Sequence, residues 1–409
     1  MHDKELYQQI LGLQKPWVVE EVQLRQDLRE VTVRLGLEGP IVLGCPECGK
    51  AMPGYDQREC AWRHLDTCQF KTILRAKVPR GQCPEHGVRQ IRVPWAERGS
   101  QFTALFERLA IDWLKVAAQS AVAANLRISW SEVHGIMTRA VERGLARRQV
   151  EELHLVGVDE KAFKKGQDYV TVVCNLENGA VQHVGDGRTK EALEEFYKGL
   201  TPEQREEIYA VGMDMCKPYI EATREAFPDA DERIVFDKFH IVQHAGDAVD
   251  KVRRRENKEL RAEGDDRLVG TRYDWLTRPE NQKQDQRARF RELKNTSLRT
   301  ARAWALKETL LGLWNYTYEG AARNFFRRWL AWATRSRLEP FRKVAYTIKR
   351  HLKGVLNYIN HPITNAVAEA LNSKIQWIKM TARGFRNRQN FKTAILFHCG
   401  ELQLYPHQI

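Results

Sequence analysis

Three carboxylates that lie far apart in the chain constrain its fold more than any other feature. Asp159 ends the apolar run 155–158, Asp214 ends the run 209–213, and Glu369 lies within a strongly helical pattern. A single acid at the end of a strand is most often a turn or capping residue. Three acids that one fold brings together can instead hold two divalent metal ions, and such a pair supports phosphoryl transfer.

The pattern around the first two acids predicts an α/β core, because short apolar runs alternate with amphipathic segments. A hairpin turn at Asn178-Gly179 joins two of these runs. The expected order is strands over 155–159, 169–174 and 180–184, a helix over 190–200, a strand over 208–213, a helix over 218–227 and a strand over 233–236. This order is that of the RNase H-like fold, in which the first and fourth strands are neighbours. Asp159 and Asp214 are therefore expected to meet.

The third acid has to come from a helix packed on that sheet, and residues 364–380 have the required pattern. Residues three or four positions apart form one apolar and one polar helical face. The apolar face contains Val367, Leu371, Ile375 and Ile378, and the polar face contains Asn365, Glu369, Asn372 and Gln376. The apolar face is expected to pack on the sheet while Glu369 points towards the other two acids.

Carboxylate oxygens are hard ligands, which favour Mg²⁺ or Mn²⁺ over Zn²⁺. We therefore expect two such ions at the acidic site. Glu160 is a rival ligand next to Asp159 in the chain. Neighbouring side chains of a strand point to opposite faces of the sheet, so Glu160 is expected to face away from the metals.

The long separation between Asp214 and Glu369 predicts a helical insertion over residues 246–355. Between 321 and 360, Lys and Arg far outnumber acids and aromatic residues are interleaved. These aromatic residues are Phe325, Phe326, Trp329, Trp332 and Phe341. A second basic stretch, from 370 to 400, contains no acid; its basic residues are Lys374, Lys379, Arg383, Arg386, Arg388 and Lys392. Basic surfaces bind phosphates and exposed rings stack on unpaired bases, although any single Trp is more often a core residue.

A cluster of cysteines near the N-terminus predicts a structural zinc site. Cys45 and Cys48 form one closely spaced pair, and Cys83 and His86 form a second. Thiolates and an imidazole at such turns close a tetrahedral site, which four protein ligands would make structural rather than catalytic. A group of unliganded thiols is the alternative. Cys60, His64 and Cys68 complicate the assignment, because a spacing of four would place them on one helical face as alternative ligands or a second site.

Residues 102–148 predict a helix-turn-helix. An amphipathic helix over 102–118 is followed by a short helix over 121–126 and a third helix from Trp130 to about Arg148. Ser129 and Glu132 form a capping box at the start of the third helix. In a helix-turn-helix the first residues of this helix face the base edges of DNA; here they are Trp130, Ser131 and His134. A plain helical bundle is the alternative.

The composition fits a positively charged protein of several domains that binds a negatively charged partner. The chain has 409 residues and a net charge of +13, which points to nucleic acid or an anionic membrane and otherwise to a merely basic soluble protein. Its N-terminus is charged, and no apolar stretch is long enough for a membrane span. We therefore expect a cytoplasmic, nucleoid-associated protein with reduced cysteines and no membrane contact.

Together these residues resemble the ISL-three family of bacterial insertion-sequence transposases over nearly the whole chain. The motifs that carry the resemblance are Cys45–Cys48, 62–66, 78–80, Cys83–Gly87, 93–97, 156–160, 211–215, 236–240, 365–372 and 382–387. The resemblance implies a DDE catalytic triad of Asp159, Asp214 and Glu369. It also implies a supporting role for Asp237 and His240, and zinc ligation by Cys45, Cys48, Cys83 and His86. Cys60 and Cys68 are outside the family pattern.

The expected fold is therefore multidomain, with an α/β RNase H-like core, a helical insertion, a zinc-binding module and a helix-turn-helix domain. The expected domains are a zinc-binding module over 1–98, a helix-turn-helix over 99–150, a catalytic core over 151–245 and 356–409, and an insertion over 246–355. The leading hypothesis is a transposase that binds the inverted repeats of its element, cleaves DNA and joins the 3′ ends to a target. It would act as a dimer or larger assembly. A non-catalytic DNA-binding regulator and a nuclease without joining activity are the alternatives.

Overall fold

The computed structural model describes residues 3–148, 152–164, 166, 168–277, 281–363 and 366–407, which form two compact units. The first unit is Met1–Gln149 with Lys379–Gly384 and Glu401–Ile409, and the second is Val150–Ile378 with Phe385–Gly400. Asn365, which the sequence placed on the polar face of the third-acid helix, lies outside the described residues. No helix in the described ranges is long and apolar enough to span a bilayer.

The N-terminal part of the first unit is built on a five-stranded sheet. Its elements are α1 (Asp3–Ile10), β1 (Trp17–Arg25), β2 (Glu30–Leu37), β3 (Leu43–Gly44), β4 (Ala51–Met52), β5 (Gly54–Thr67), β6 (Phe70–Cys83) and β7 (Gly87–Gln90). The sheet order is β1-β2-β6-β5 with β7 on β6, while β3 and β4 form a separate ribbon. Trp95 packs edge-on against Trp17 and Trp62, with ring centroids 4.8 and 5.3 Å apart. These buried rings fill the core beside the sheet.

Three helices follow, as the sequence predicted: α2 (Ala104–Val116), α3 (Gln119–Leu126) and α4 (Trp130–Ala146). The Thr103 hydroxyl accepts from the backbone N–H of Phe106 and caps α2. The predicted capping box at the start of α4 is confirmed, since the Ser129 hydroxyl accepts from the Glu132 N–H and the Glu132 carboxylate accepts from the Ser129 N–H.

A buried ion-pair network holds α2 against α4. The Glu107 carboxylate is 1% exposed and accepts hydrogen bonds from Ser100, Arg139 and Arg143 over 2.6 to 2.9 Å. Arg143 also donates to Glu97 at 2.5 Å and to the Leu404 carbonyl. The Arg143 guanidinium, at the basic end of α4, is therefore buried and holds the helices together.

Replacing Glu107 by Gln should lower the free energy of unfolding of the first unit by about 3 kcal/mol, because two guanidinium groups lose their buried counter-charge. Urea unfolding followed by circular dichroism measures this change. Glu142→Gln is the matched control, since Glu142 is an exposed glutamate on α4, the helix that the network holds against α2. Equal stability of the two variants would show that the network contributes little.

The second unit contains a mixed five-stranded sheet in the order β10-β9-β8-β11-β12. The strands are β8 (Leu155–Ala162), β9 (Tyr169–Asn175), β10 (Val181–Asp186), β11 (Ala210–Met213) and β12 (Ile234–Phe236). β8, β9 and β10 form an antiparallel meander, while β11 pairs parallel to both β8 and β12. This is the predicted strand order, and the prediction that the first and fourth strands are neighbours is confirmed.

Helices make up the rest of the second unit. Those between the strands are α5 (Lys190–Lys198), α6 (Pro202–Glu207), α7 (Lys217–Ala226) and α8 (Ala230–Arg233). Those after β12 are α9 (Lys238–Ala262), α10 (Arg272–Leu276), α11 (Gln284–Lys294), α12 (Arg299–Leu311), α13 (Glu319–Arg335), α14 (Glu339–Arg350), α15 (Leu352–Leu356), α16 (Ala366–Thr381) and α17 (Arg388–Cys399), with 3-10 turns at Gly312–Asn315 and Asn357–Ile359. The predicted helical insertion is thus a set of packed helices.

The aromatic residues of this helical segment serve mainly its core. Phe326, Trp329 and Phe341 are buried, and the Trp329 indole donates to the Leu306 carbonyl at 2.9 Å. Trp332, at 39% exposure, is the member of the interleaved aromatic set that presents a ring to solvent. Core packing, the alternative given for any single Trp, therefore holds for Trp329, and the buried rings are not available for stacking on bases.

Candidate active site and zinc centre

The four predicted zinc ligands converge at one point of the first unit. The thiols of Cys45, Cys48 and Cys83 and the imidazole of His86 lie within 4.8 Å of one another. The Cys48 and Cys83 sulfurs are 3.8 Å apart, and the Cys83 sulfur is 3.5 Å from His86 Nδ1. Ligand atoms of a tetrahedral zinc site with ordinary bond lengths are about 3.5 to 3.8 Å apart. The donor types and their spacing therefore fit zinc.

The electrostatics of Cys83 also suit a metal ligand. Burial raises the pKa of its thiol, but hydrogen bonds from His86 and from the backbone outweigh this and lower the pKa to about 6. A thiolate is the form of cysteine that binds zinc. Cys83 thus presents the charged form near neutral pH.

Cys60, His64 and Cys68 do not form a second group, and the helical face expected for them is wrong. Cys60 and His64 lie on strand β5, while Cys68 is exposed in the turn after it with a left-handed φ of 49°. The Cys60 thiol donates to Gln90 at 3.6 Å. His64 is buried against the Thr103 hydroxyl at 2.9 Å, and burial with the charge of Arg63 lowers its pKa to about 4. His64 is therefore a neutral core residue.

The start of helix α4 presents the three residues proposed from the sequence to read bases. The Trp130 side chain is 48% exposed, and its ring stacks on His134 with centroids 5.1 Å apart. Ser131 is exposed, and its hydroxyl lies 3.0 Å from that of Ser129. An exposed aromatic platform therefore lies at the end of α4 that a helix-turn-helix inserts into the major groove.

Asp159 and Asp214 lie at corresponding positions of the neighbouring strands β8 and β11. Gly157 pairs with Gly212 in the parallel ladder, and each acid follows its glycine by two residues. A side chain at Gly157 would meet Leu176 at 2.6 Å, so glycine is required where Leu176 packs over the strand. The expectation that Asp159 ends its strand is wrong, since β8 continues to Ala162 and Asp159 pairs with Val172 of β9, whereas Asp214 directly follows β11. The two acids occupy the same level of neighbouring strands.

Arg188 connects this pair of strands, and the sequence gave no sign of it. Its guanidinium lies 3.1 Å from the Glu160 carboxylate and 3.4 Å from the Asp214 carboxylate, and it donates to the Cys216 sulfur at 3.2 Å. Burial raises the pKa of Glu160. The positive charge of Arg188 lowers this pKa, and the negative charges of Asp159 and Asp214 raise it. The charges of Asp159 and Asp214 therefore act on Glu160, although its direct side-chain contact is with Arg188.

Asp237 and His240 lie at the adjacent end of β12, where helix α9 begins. The Asp237 carboxylate accepts from the Phe239 N–H at 2.7 Å and caps α9, and it is 3.7 Å from His240 Nε2. Burial raises the pKa of Asp237; the backbone bond and His240 oppose this, while Asp159 and Asp214 raise it further. Asp237 is thus close enough to both acids to feel their charge.

Glu369 lies on α16, one helical turn before Asn372. The Asn372 amide donates to Asp159 Oδ2 at 3.0 Å, which brings this helix against the acidic end of β8. Leu371, Ile375 and Ile378 are buried, so the predicted apolar face packs inward, while Glu369 is exposed. Within the described ranges, the zinc donors are the only set of three or more close His, Cys, Asp or Glu ligand atoms. The link between α16 and the two aspartates is thus the contact of Asn372, and the Glu369 carboxylate is not within ligand-sharing distance of both of them in the described structure.

Five of the six basic residues after Glu369 divide into two groups. Lys374, Arg383 and Arg386 are exposed. Arg388 bonds to Asp168 at 2.6 Å and Lys392 lies 3.3 Å from Asp186, so both anchor α17 to the sheet. The first group is the more exposed of the two.

Sequence profiles of known families match successive parts of the chain. Residues 156–395, more than half of the 409, match the DDE domain of ISL3, described as a transposase. The chain belongs to the ISL3 family of transposases. Residues 91–141 match the helix-turn-helix domain of that family, and residues 42–86 match the zinc finger of transposases IS204/IS1001/IS1096/IS1165. The predicted order of a zinc-binding module, a helix-turn-helix and a DDE domain is confirmed.

Individual relatives are similar over almost their full length. The transposase for insertion sequence element IS1557 of Mycobacterium tuberculosis is 29% identical over 422 residues, which cover 95% of this chain and 94% of the relative. The transposase for insertion sequence element IS1001 of Bordetella parapertussis is 26% identical, over 96% of this chain and 97% of the relative. This ISL3 protein is therefore a DDE transposase, an enzyme that acts on DNA.

Proposed function

We propose that this transposase binds the terminal inverted repeats of its own insertion sequence, cleaves the DNA and joins the 3′ ends to a target. Asp159, Asp214 and Glu369 are the proposed catalytic triad. The observation that carries the proposal is that Asp159 and Asp214 occupy the same level of the neighbouring parallel strands β8 and β11, with α16 held against Asp159 by the contact of Asn372. Joining of a precut end to target DNA is the test, since a nuclease without joining activity would cleave only.

The acidic site fits Mg²⁺ or Mn²⁺, because its donors are carboxylate oxygens and an amide rather than thiols. Asp159, Asp214 and Glu369 would hold two such ions. Bound ions would activate the attacking oxygen and stabilise the charge on the leaving oxygen. The four-ligand group in the first unit would hold a structural Zn²⁺ instead, since no ligand position remains for a substrate.

The surrounding residues orient the acids. The Asn372 amide donates to one oxygen of Asp159, and the Glu160 N–H donates to the other at 2.8 Å. The Met215 N–H donates to Asp214 Oδ1 at 2.6 Å, while Arg188 approaches Oδ2. Both carboxylates are thereby held before a substrate arrives. We assign Asp237 and His240 a supporting role, in which they cap α9 and shape the edge of the site.

Replacing Arg188 by Ala should lower strand cleavage by roughly tenfold to a hundredfold, because a misplaced reacting group costs about this much. The variant removes the guanidinium that approaches Asp214 and that pairs with Glu160. Cleavage of a labelled end duplex at saturating protein measures the effect, and Arg188→Lys should restore part of the rate. Arg224→Ala, which removes an exposed partner of Asp231, is the control. Equal cleavage rates for the Arg188→Ala and Arg224→Ala variants would show that Arg188 does not contribute to the reaction.

We infer that end recognition combines the zinc module with the start of α4. Trp130, Ser131 and His134 would contact base edges, while Lys374, Arg383 and Arg386 would contact phosphates. The two ends of an element have to be brought together, so the active complex on DNA would be a dimer or a larger assembly. Its substrate is the bacterial chromosome, and we therefore expect the protein to act in the cytoplasm at the nucleoid.

A further inference from the structure

A pocket of about 370 Å³ lies between helices α9 and α14, next to the acidic site. Met215, which directly follows Asp214, and Ile241, which directly follows His240, form its end nearest the acids. From there it runs along α9 as far as Arg255. This path covers about 20 Å at the rise of an α-helix. The pocket therefore starts at the proposed reaction centre and leads away from it.

The walls of the pocket combine an apolar floor with a polar rim. Ile241, Ala248, Val344 and Ile348 are buried and form the floor. The rim is formed by exposed residues of α9, namely His244, Asp247 and Lys251. A flat ring fits between such apolar walls, and the rim offers groups that donate and accept hydrogen bonds to its polar edges.

The charges of the rim favour an anion at one end. Arg255 and Lys343 share one carboxylate, that of Glu339, at 3.0 and 2.7 Å, so this part of the rim keeps a net positive charge. Lys251 is exposed and forms no ion pair in the described parts of the chain. Its ammonium group is therefore available for a phosphate, whereas Asp247 can accept from an exocyclic amino group.

We propose that this pocket binds one unpaired nucleotide of the DNA strand next to the cleaved phosphodiester. The base would lie on the apolar floor and the phosphate would contact Lys251. This assignment rests on the proposed function, because the acids beside the pocket define where the strand is cut. The proposal adds a site that holds the strand open at the element's end, where base pairs have to separate before the strand reaches the acids.

The first test uses a duplex with a short single-stranded tail that carries one 2-aminopurine, without divalent metal so that no strand is cut. Binding to the wild-type protein should change the 2-aminopurine fluorescence, since the base exchanges its DNA neighbours for the pocket. Thr347→Trp fills the pocket from α14, where Thr347 is half-buried. This variant should lose the fluorescence change and bind the tailed duplex about tenfold more weakly than wild type. Its affinity for a blunt duplex should not change.

The second test reverses single charges without filling the pocket. Lys251→Glu should weaken binding of the tailed duplex by about tenfold, because a phosphate meets a like charge. Lys258→Glu is the matched control, since Lys258 is exposed on the same helix but does not line the pocket. Equal losses for the two variants would overturn the proposal, as would an unchanged fluorescence signal with Thr347→Trp.

The cleavage and binding results distinguish an error in the pocket assignment from an error in the proposed function. A wild-type protein that cleaves element ends while the pocket variants behave like the controls overturns the pocket alone. A wild-type protein that neither binds nor cleaves element ends overturns the proposed function, and the pocket assignment with it.

Discussion

Replacing Asp214 by Asn should reduce strand cleavage at the element's ends by at least about a thousandfold, while affinity for those ends stays within about twofold. The amide has the shape of the carboxylate and still accepts from the Met215 N–H, so the end of β11 keeps its structure. The substitution removes the negative charge with which the Asp214 side chain would bind a divalent ion. Cleavage of a labelled duplex in Mg²⁺ and fluorescence anisotropy of the same duplex measure the two effects.

Asp266→Asn is the control for Asp214→Asn. Asp266 is exposed in the helical segment, where it pairs with Arg261. This variant should cleave at the wild-type rate, and EDTA should stop cleavage by both the wild type and the control. Strand cleavage by Asp214→Asn at a rate near that of wild type would remove Asp214 from the triad. End binding without cleavage by the wild type in any metal would favour a regulator instead.

The sequence predicts the strands next to Asp159 and Asp214 well because they are short and apolar. Each run has the length and composition of a buried strand, and the connections are long enough only for hairpins or crossover helices. The strands follow from local patterns, whereas the pairing of β8 with β11 follows from the fold that their order indicates. The polar stripe of α16 is also local, and its residue Asn372 does contact Asp159.

The role of Arg188 could not be predicted from the residues next to it in the chain. It lies in the turn between β10 and α5, outside any periodic segment, and its meaning comes from Glu160 and Asp214, which other parts of the chain supply. Arg143 is a similar case, since its charge suggests a DNA contact but Glu107 and Glu97 bury it. The role of a basic residue depends on the tertiary position of the nearest acid.

The error at Cys60, His64 and Cys68 has a different cause. A spacing of four residues fits a helical face, but it also places Cys60 and His64 on one side of a strand. The antiparallel hairpin of β5 and β6 decides between them, because the left-handed turn at Cys68 and Gln69 ends β5 and starts the pairing that holds Cys60 and His64 in a strand. Spacing alone therefore could not exclude these residues as zinc ligands.

Replacing Cys83 by Ser should reduce the zinc content of the purified protein from about one ion per chain to nearly none. Cys83 is fully buried at the centre of the donor group, with its sulfur near both Cys48 and His86. A serine hydroxyl is a poor substitute for a thiolate, so three ligands would remain for an ion that requires four. Elemental analysis of the protein by mass spectrometry measures the bound zinc.

Cys68→Ser provides the matched comparison, because Cys68 is exposed in the turn after β5 and lies apart from the four donors. This variant should keep its zinc and its melting temperature. The Cys83→Ser variant should melt at a lower temperature, since metal binding contributes to the folding of such small modules. Loss of zinc from Cys68→Ser with full zinc in Cys83→Ser would reverse the assignment. End binding by Cys83→Ser should fall with its zinc content, because a zinc module that contacts DNA has to be folded to do so.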